Sequence, residues 1–168
     1  MEFESLKKRL EGCYVTVPTM FRDSDLGLDL NATRRHVRFL MDRGINEDNA
    51  VLLAGGAAGD FSTMALDERI SVAKAIVEEV DGKIPVAMGA QTTNTMELCR
   101  LVKSAQDLGA DFVQISPPFY FEHTEDDFYE FVQSAAETAT EIGIIIYNTF
   151  WTSNNVSTNL VDRLSKIP

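Results

Sequence analysis

Cysteine and histidine are scarce in this sequence, and basic residues are outnumbered. Its 168 residues include two cysteines and two histidines, and 26 acidic residues against 15 basic ones give a formal net charge of -11. This charge argues against the basic face that nucleic-acid binding requires, and it makes an anionic membrane surface an unsuitable partner. Cys13 and Cys99 form no close-spaced motif, which is typical of proteins in a reducing compartment.

Long apolar runs are absent as well. No stretch approaches the about 20 residues of a membrane span, and the acidic N-terminus, with Glu2 and Glu4, lacks the apolar core of a signal peptide. His36 and His123 are distant in sequence and have no cysteine or carboxylate at metal spacing, so we predict no metal site and no cofactor. We therefore expect a cytoplasmic protein with a single domain over residues 1–168.

Short apolar runs alternate with amphipathic segments along the chain. The runs predict strands at residues 13–17, 50–54, 84–88, 112–115 and 143–147. Between them, apolar residues at helical spacing predict helices that end near glycines 44, 82, 109 and 143. The stripe before Gly143 continues to Ile142, and Leu160, Val161 and Leu164 belong to a last helix.

Two of these helices have predicted N-caps. Asn31 can cap the helix that contains Val37, and Thr124 can cap the one that begins with three acidic residues.

This alternation predicts a parallel α/β sheet with right-handed crossovers. An open, doubly wound sheet of five strands would be complete at this length. A (β/α)8 TIM barrel needs about 250 residues, so the chain would supply about its first five βα units, with the C-terminal units missing. The first and fifth strands carry no blocking charge, which favours the barrel because exposed sheet edges are usually protected.

The fifth strand ends in a phenol beside an amide. Its run Ile144-Ile145-Ile146 is apolar on both faces and predicts a strand covered on both sides, and Tyr147 and Asn148 follow it. Ligands of parallel α/β proteins bind at the carboxyl ends of strands. Tyr147 is therefore the first candidate for chemistry, and a core tyrosine with one hydrogen bond is the alternative.

Four stretches at the predicted strand ends carry a family resemblance. They are Val-Pro-Thr-Met-Phe at 17–21, Gly-Ala-Ala-Gly-Asp at 56–60 with Glu68 and Arg69, Ile-Pro-Val-Ala-Met-Gly at 84–89, and Ser-Pro-Pro-Phe-Tyr at 116–120 with Tyr147 and Asn148. In this order they resemble the dihydrodipicolinate synthase and N-acetylneuraminate lyase family, the pyruvate-dependent class I aldolases. The resemblance implies a TIM barrel rather than an open sheet.

The resemblance also implies roles for particular residues. It makes Tyr147 the proton shuttle beside a Schiff-base lysine, and it makes Tyr120 an aromatic residue that reaches a neighbouring subunit's site. It assigns the carboxylate of pyruvate to the loop of Gly56, Ala57 and Ala58. It further implies a homo-oligomer, a dimer or tetramer, that acts on a pyruvate-like 2-oxo acid and an aldehyde.

The sequence departs from the family pattern in two places. Ala57 and Ala58 replace hydroxyl residues, and Asp60 replaces a glutamate, so the loop retains only backbone amides for a carboxylate. The family's lysine lies on the sixth strand, which would begin just after Pro168. None of the chain's six lysines falls at the carboxyl end of a predicted strand, although a Schiff base needs a lysine that is desolvated inside the site.

These features lead to one main functional hypothesis and two alternatives. The main hypothesis is a Schiff-base lyase truncated before its lysine, which would leave this chain alone inactive. The alanines and the missing lysine are also compatible with a catalytically silent scaffold or ligand-binding protein of the same fold. A hydratase-aldolase with a larger aromatic substrate is the third possibility, because Phe150 and Trp151 can line a substrate pocket.

Overall fold

The computed structural model describes residues 3–150, 152 and 154–167. Within them, strands Cys13–Val17 (β1), Ala50–Ala54 (β2), Val86–Gly89 (β3), Phe112–Ile115 (β4) and Gly143–Ile146 (β5) alternate with helices. The helices are Phe3–Lys8 (α1), Leu30–Asp42 (α2), Leu66–Val80 (α3), Thr95–Leu108 (α4), Glu125–Thr138 (α5) and Thr158–Leu164 (α6).

The five described strands form one parallel sheet in the order in which they occur along the chain, β1-β2-β3-β4-β5. A doubly wound sheet reverses its strand order at a switch point, and this sheet has no reversal. Consecutive parallel neighbours joined by helices are the arrangement of a TIM barrel, so the barrel interpretation is confirmed over the alternative of an open sheet.

The two faces of the sheet have different surroundings. On one face, Leu52, Met88 and Ile115 belong to a large core that includes the apolar sides of α2 to α6. On the other face, Leu53 and Phe112 form a smaller cluster with α1, whose Leu6 is buried against it. We call this second face the interior face, because it is the face that a barrel encloses.

Several element boundaries differ from the predictions. The N-cap of α2 is Asp29 rather than Asn31, since the Asp29 side chain accepts a hydrogen bond from the amide of Ala32 at 2.8 Å. Helix α5 ends at Thr138 rather than near Ile142. β3 begins at Val86 because Pro85, which precedes it, has no amide hydrogen for the ladder.

The degree of burial also differs from the prediction at β5. All four residues of β5 are half-buried, not covered on both sides, because β4 is its only described neighbour. The last helix, α6, is confirmed with Leu160 and Leu164 buried, whereas Val161 is 52% exposed and takes no part in the core.

Candidate functional site

All five strands point the same way, so the segments that follow them meet at one edge of the sheet. This edge holds Thr19 after β1, the loop of residues 55–60 after β2, Gln91 after β3, Ser116 after β4 and Tyr147 after β5. The structure thus brings Tyr147 and the Gly-Ala loop to the same edge of the sheet.

Tyr147 extends the pairing of the last two strands. Its amide donates a hydrogen bond to the carbonyl of Ile115 at 2.8 Å, which fixes the backbone just after β5. Ile145 packs in the interior cluster, and alternation along the strand places Tyr147 on the same face. The side chain is half-buried, and its catalytic role stays a prediction.

Tyr14, on β1, interacts electrostatically with Tyr147. Tyr14 is 41% exposed, but partial burial around its hydroxyl raises its pKa above the ordinary value, and the neighbouring Tyr147 raises that pKa further. The Tyr14 hydroxyl therefore stays protonated at neutral pH. Sequence reasoning missed Tyr14, because the pattern of β1 does not show which of its residues face the interior.

The loop after β2 is held tightly in place. It makes two short 3₁₀ turns, Ala57–Gly59 and Phe61–Thr63, and the carbonyl of Gly59 accepts a hydrogen bond from the hydroxyl of Thr19 at 2.7 Å. A Cβ on Gly56 would lie 2.5 Å from the end of the Leu53 side chain, so a larger residue at this position would require Leu53 to move.

This loop also contains two backbone N–H groups, those of Ala57 and Ala58, that are not used in backbone hydrogen bonds within the part of the chain that the structure describes. Ala57 and Ala58 are exposed, and no backbone carbonyl among the described residues accepts a hydrogen bond from either amide. Adjacent free amides of this kind can bind an anion. The assignment of Gly56, Ala57 and Ala58 to a carboxylate site stays a prediction.

Glu68 and Arg69 have separate tasks in α3. The Glu68 carboxylate accepts a hydrogen bond from the amide of Ala65 at 2.9 Å and so caps the helix. The buried Arg69 guanidinium donates to the carbonyls of Gly89 and Gln91 at 2.8 and 3.0 Å. Burial lowers the pKa of Arg69 to about 10, with Glu97 opposing the shift, so Arg69 is charged at neutral pH.

The segment after β4 is exposed and conformationally unusual. Tyr120 is 83% exposed and has a φ of 92°, a positive value that is rare for a bulky residue. Its ring meets that of Phe121 edge to face, with ring centroids 4.7 Å apart. Tyr120 thus projects outward, whereas Tyr147 is half-buried, and the predicted role of Tyr120 at a subunit contact stays a prediction.

A polar cavity follows Tyr147. It has a volume of about 410 Å³ and is lined by Asn148, Thr149, Phe150, Thr152, Asn154 and Asn155. The side-chain Nδ2 of Asn148 donates a hydrogen bond to Asn155 Oδ1 at 2.7 Å and joins the two ends of this loop. Phe150 is 98% exposed, and Trp151, its predicted partner in a substrate pocket, lies outside the described residues.

Three buried polar residues at this edge were also missed. They are Gln91, Gln114 and Ser116, each at most 1% exposed. Their polar side-chain atoms include several without a hydrogen-bond partner among the described residues. A glutamine in or beside a strand indicates a solvent-facing position, so the sequence alone gave no signal of their burial.

Neither a cluster of metal-ligating residues nor a membrane-spanning helix occurs in the described part of the chain. It contains no group of three or more His, Cys, Asp or Glu residues that could hold a metal ion. None of its described helices combines the length and the apolar character needed to cross a membrane.

Comparisons with known proteins agree on one family. The model of the dihydrodipicolinate synthetase family matches residues 9–168. The 4-hydroxy-tetrahydrodipicolinate synthase of Thermotoga petrophila is 35% identical over 137 residues, which are 82% of this chain and 44% of that protein. The same enzyme of Methanosphaerula palustris is 32% identical over 160 residues, or 94% of this chain and 53% of that protein.

Solved structures show the same similarity. The E. coli K12 protein YagE, a member of the dihydrodipicolinic acid synthase family solved in complex with pyruvate, superposes with a TM-score of 0.84 and 28% identity, over 92% of this chain and 50% of that one. The chain spans about half the length of the curated relatives and solved structures that it matches.

Proposed function

The chain belongs to the dihydrodipicolinate synthetase family, and from this premise we propose that it forms the first five βα units of a lyase that acts on pyruvate or a related 2-oxo acid. The reaction runs through a Schiff base, and the lysine comes from outside these 168 residues. The positions of the chain's own six lysines support an outside lysine, because all six lie on helices and turns and are exposed.

One observation carries the proposal. The phenol of Tyr147 follows β5 on the interior face, and the free amides of Ala57 and Ala58 follow β2 at the same edge of the sheet. This edge is where TIM-barrel enzymes place their chemistry. YagE, the structural relative with a TM-score of 0.84, was solved with pyruvate bound, and that supports a 2-oxo acid as the ligand.

Each part of the site then has a task. The amides of Ala57 and Ala58 bind the carboxylate of the 2-oxo acid, and the hydroxyl of Tyr147 moves protons during condensation with an aldehyde or during cleavage. Tyr120 contacts a neighbouring subunit of a homo-oligomer. Its 83% exposure and strained backbone support this role, because such strain persists where function requires it.

A ligand-binding protein without lyase activity is the second candidate. The observation that favours it is the pair of alanines at 57 and 58, which leave the loop without hydroxyl side chains. Such a protein would retain the carboxylate site and would form no covalent adduct.

The experiment that separates the two candidates uses the full-length protein. It is incubated with pyruvate and borohydride, and its intact mass is measured. A Schiff base forms with loss of water and is then reduced at its carbon–nitrogen double bond, so the lyase gains the mass of pyruvic acid less one oxygen atom. Binding of pyruvate in calorimetry without this gain in mass would support the ligand-binding protein and overturn the lyase.

A further inference from the structure

Three buried polar side chains form a set at the carboxyl ends of β3 and β4. Gln91, Gln114 and Ser116 are 1%, 1% and 0% exposed. The side-chain atoms Nε2 and Oε1 of Gln91, Oε1 of Gln114 and Oγ of Ser116 have no hydrogen-bond partner among the described residues. Native proteins rarely leave buried polar atoms unpaired, so a cluster of them at a strand end calls for a ligand or another partner.

Gln91 lies directly beside the loop that follows β2. A Cβ built on Gly89 would be 2.6 Å from Gln91 Oε1 and 2.2 Å from the carbonyl oxygen of Gly55. The carboxamide of Gln91 therefore occupies the space that a side chain at position 89 would fill. Gly55 is the first residue of the loop of residues 55–60, so Gln91 adjoins the proposed carboxylate site.

Gln114 and Ser116 continue the set on the neighbouring strand. Gly89 pairs with Gln114 in the parallel register, and the amide of Ala90 donates to the carbonyl of Gln114 at 2.8 Å. Phe112 packs in the interior cluster, and alternation places Gln114 and then Ser116 on that same face. The set thus shares the interior face with Tyr147.

The positive charge of Arg69, next to this set, favours the binding of an anion. Arg69 donates to the carbonyls of Gly89 and Gln91, and its Nε is buried without a partner. Arg69 takes part in none of the salt bridges in the described part of the chain, and the Glu97 carboxylate, which raises the pKa of Arg69 from a distance, offsets its charge only in part. A buried positive charge without an ion pair stabilises a negative group that binds nearby.

We infer that this set binds substrate and that its donors, on Gln91 and Ser116, hold the carboxylate of the 2-oxo acid. The side-chain NH₂ group of Gln91 and the hydroxyl of Ser116 are donors, and a carboxylate accepts several hydrogen bonds. They supply the side-chain hydrogen bonds that Ala57 and Ala58 cannot make. The inference rests on the proposed function for its ligand, and it assigns binding residues that the family resemblance did not include.

The test replaces Gln91 by methionine, which has a similar volume and cannot hydrogen-bond in the same way. In the full-length protein, the Kd for pyruvate is measured by calorimetry and the adduct by borohydride trapping. We expect Gln91→Met to bind pyruvate about tenfold more weakly, the worth of one hydrogen bond, and still to form the adduct at saturating pyruvate. Ser116→Ala provides a second variant with a small change in volume and the same expected direction.

The matched control is Gln133→Met on α5, where the exposed glutamine donates only to Glu137 at 2.9 Å. It should bind pyruvate like the wild type. Wild-type affinity in both Gln91→Met and Ser116→Ala would overturn the inference and leave the set with a structural role. Weakened binding in these variants, together with no adduct in any protein, would support the binding set and overturn the Schiff-base lyase.

Discussion

The guanidinium of Arg69 holds the last residue of β3 by donating a hydrogen bond to the carbonyl of Gly89 at 2.8 Å. A second hydrogen bond to the carbonyl of Gln91 fixes the turn that follows. The guanidinium carbon lies 5.4 Å from the centre of the Phe61 ring, and that ring meets Phe119 edge to face. Arg69 thus joins the segments that follow β2, β3 and β4.

Replacing Arg69 should therefore destabilise the fold. Arg69→Met leaves two buried carbonyls unpaired, and we expect the free energy of unfolding to fall by at least about 2 kcal/mol. Arg100→Met is the control, because Arg100 forms an exposed ion pair with Asp67, and such pairs contribute about 0–1 kcal/mol. Urea denaturation of the full-length protein measures both, and equal losses would contradict the anchoring role of Arg69.

The strands were predictable where local residues mark their ends. Gly12 and Pro18 delimit β1, and the predicted bounds of β1, β2 and β4 match the structure. The end of α5 depended on a distant residue. Gln106 of α4 accepts a hydrogen bond from the amide of Glu141 at 2.9 Å, and the extended backbone of Ala139 leads the chain out of the helix. Apolar spacing alone does not reveal such a contact.

The candidate site was predictable only in part. Tyr147 could be found because a phenol follows an apolar strand, and strand ends carry function in parallel sheets. Gln91 could not be found, because its burial depends on the space left by Gly89 in the folded sheet. Tyr14 was missed for a similar reason, since its interaction with Tyr147 spans the sheet from β1 to the end of β5.

A pH-dependent contribution to stability comes from the start of α5. The Thr124 hydroxyl donates to the Asp127 carboxylate at 2.7 Å, and the Thr124 amide donates to it at 2.8 Å. These hydrogen bonds hold the pKa of Asp127 below its ordinary value of 3.8. The stabilisation is therefore present above that value and is lost as the pH falls through the lower pKa of the folded state.

We expect Asp127→Asn to reduce this acid sensitivity. Between pH 6 and pH 3, the urea midpoint of the wild type should fall further than that of the variant. Glu130→Gln makes the same change of charge in the middle of α5 and should behave like the wild type. A fall of the same size in Asp127→Asn and in the wild type would show that the hydrogen-bonded carboxylate does not contribute.

Removal of the Tyr147 hydroxyl tests its proposed role as a proton shuttle. In the full-length enzyme, Tyr147→Phe should lower turnover by about 10² to 10⁴, the usual effect of losing a positioned acid–base group. Stability should change much less, because the half-buried ring remains. Tyr129→Phe is the control, since Tyr129 lies on α5 beneath the guanidinium of Arg163. Wild-type turnover in Tyr147→Phe would leave Tyr147 a structural tyrosine.

The carboxylate site can be tested by removing a single donor. Ala57 begins a 3₁₀ turn, and the residue before it, Gly56, has the extended conformation that proline requires of its predecessor, with φ -75° and ψ -174°. Ala57→Pro therefore fits the backbone and chiefly removes one N–H. We expect it to weaken pyruvate binding by about tenfold to a hundredfold, the worth of a hydrogen bond to a charged group.

Two further variants complete this test. Ala57→Ser keeps the N–H and adds a hydroxyl, so pyruvate should bind at least as tightly as in the wild type. Thr158→Pro places proline at the first position of α6, where helices accept it, and it should leave the affinity unchanged. Calorimetry on the full-length protein measures all three. Equal affinity in Ala57→Pro and Ala57→Ser would mean that the amide of Ala57 does not bind the carboxylate, because these variants differ in that donor.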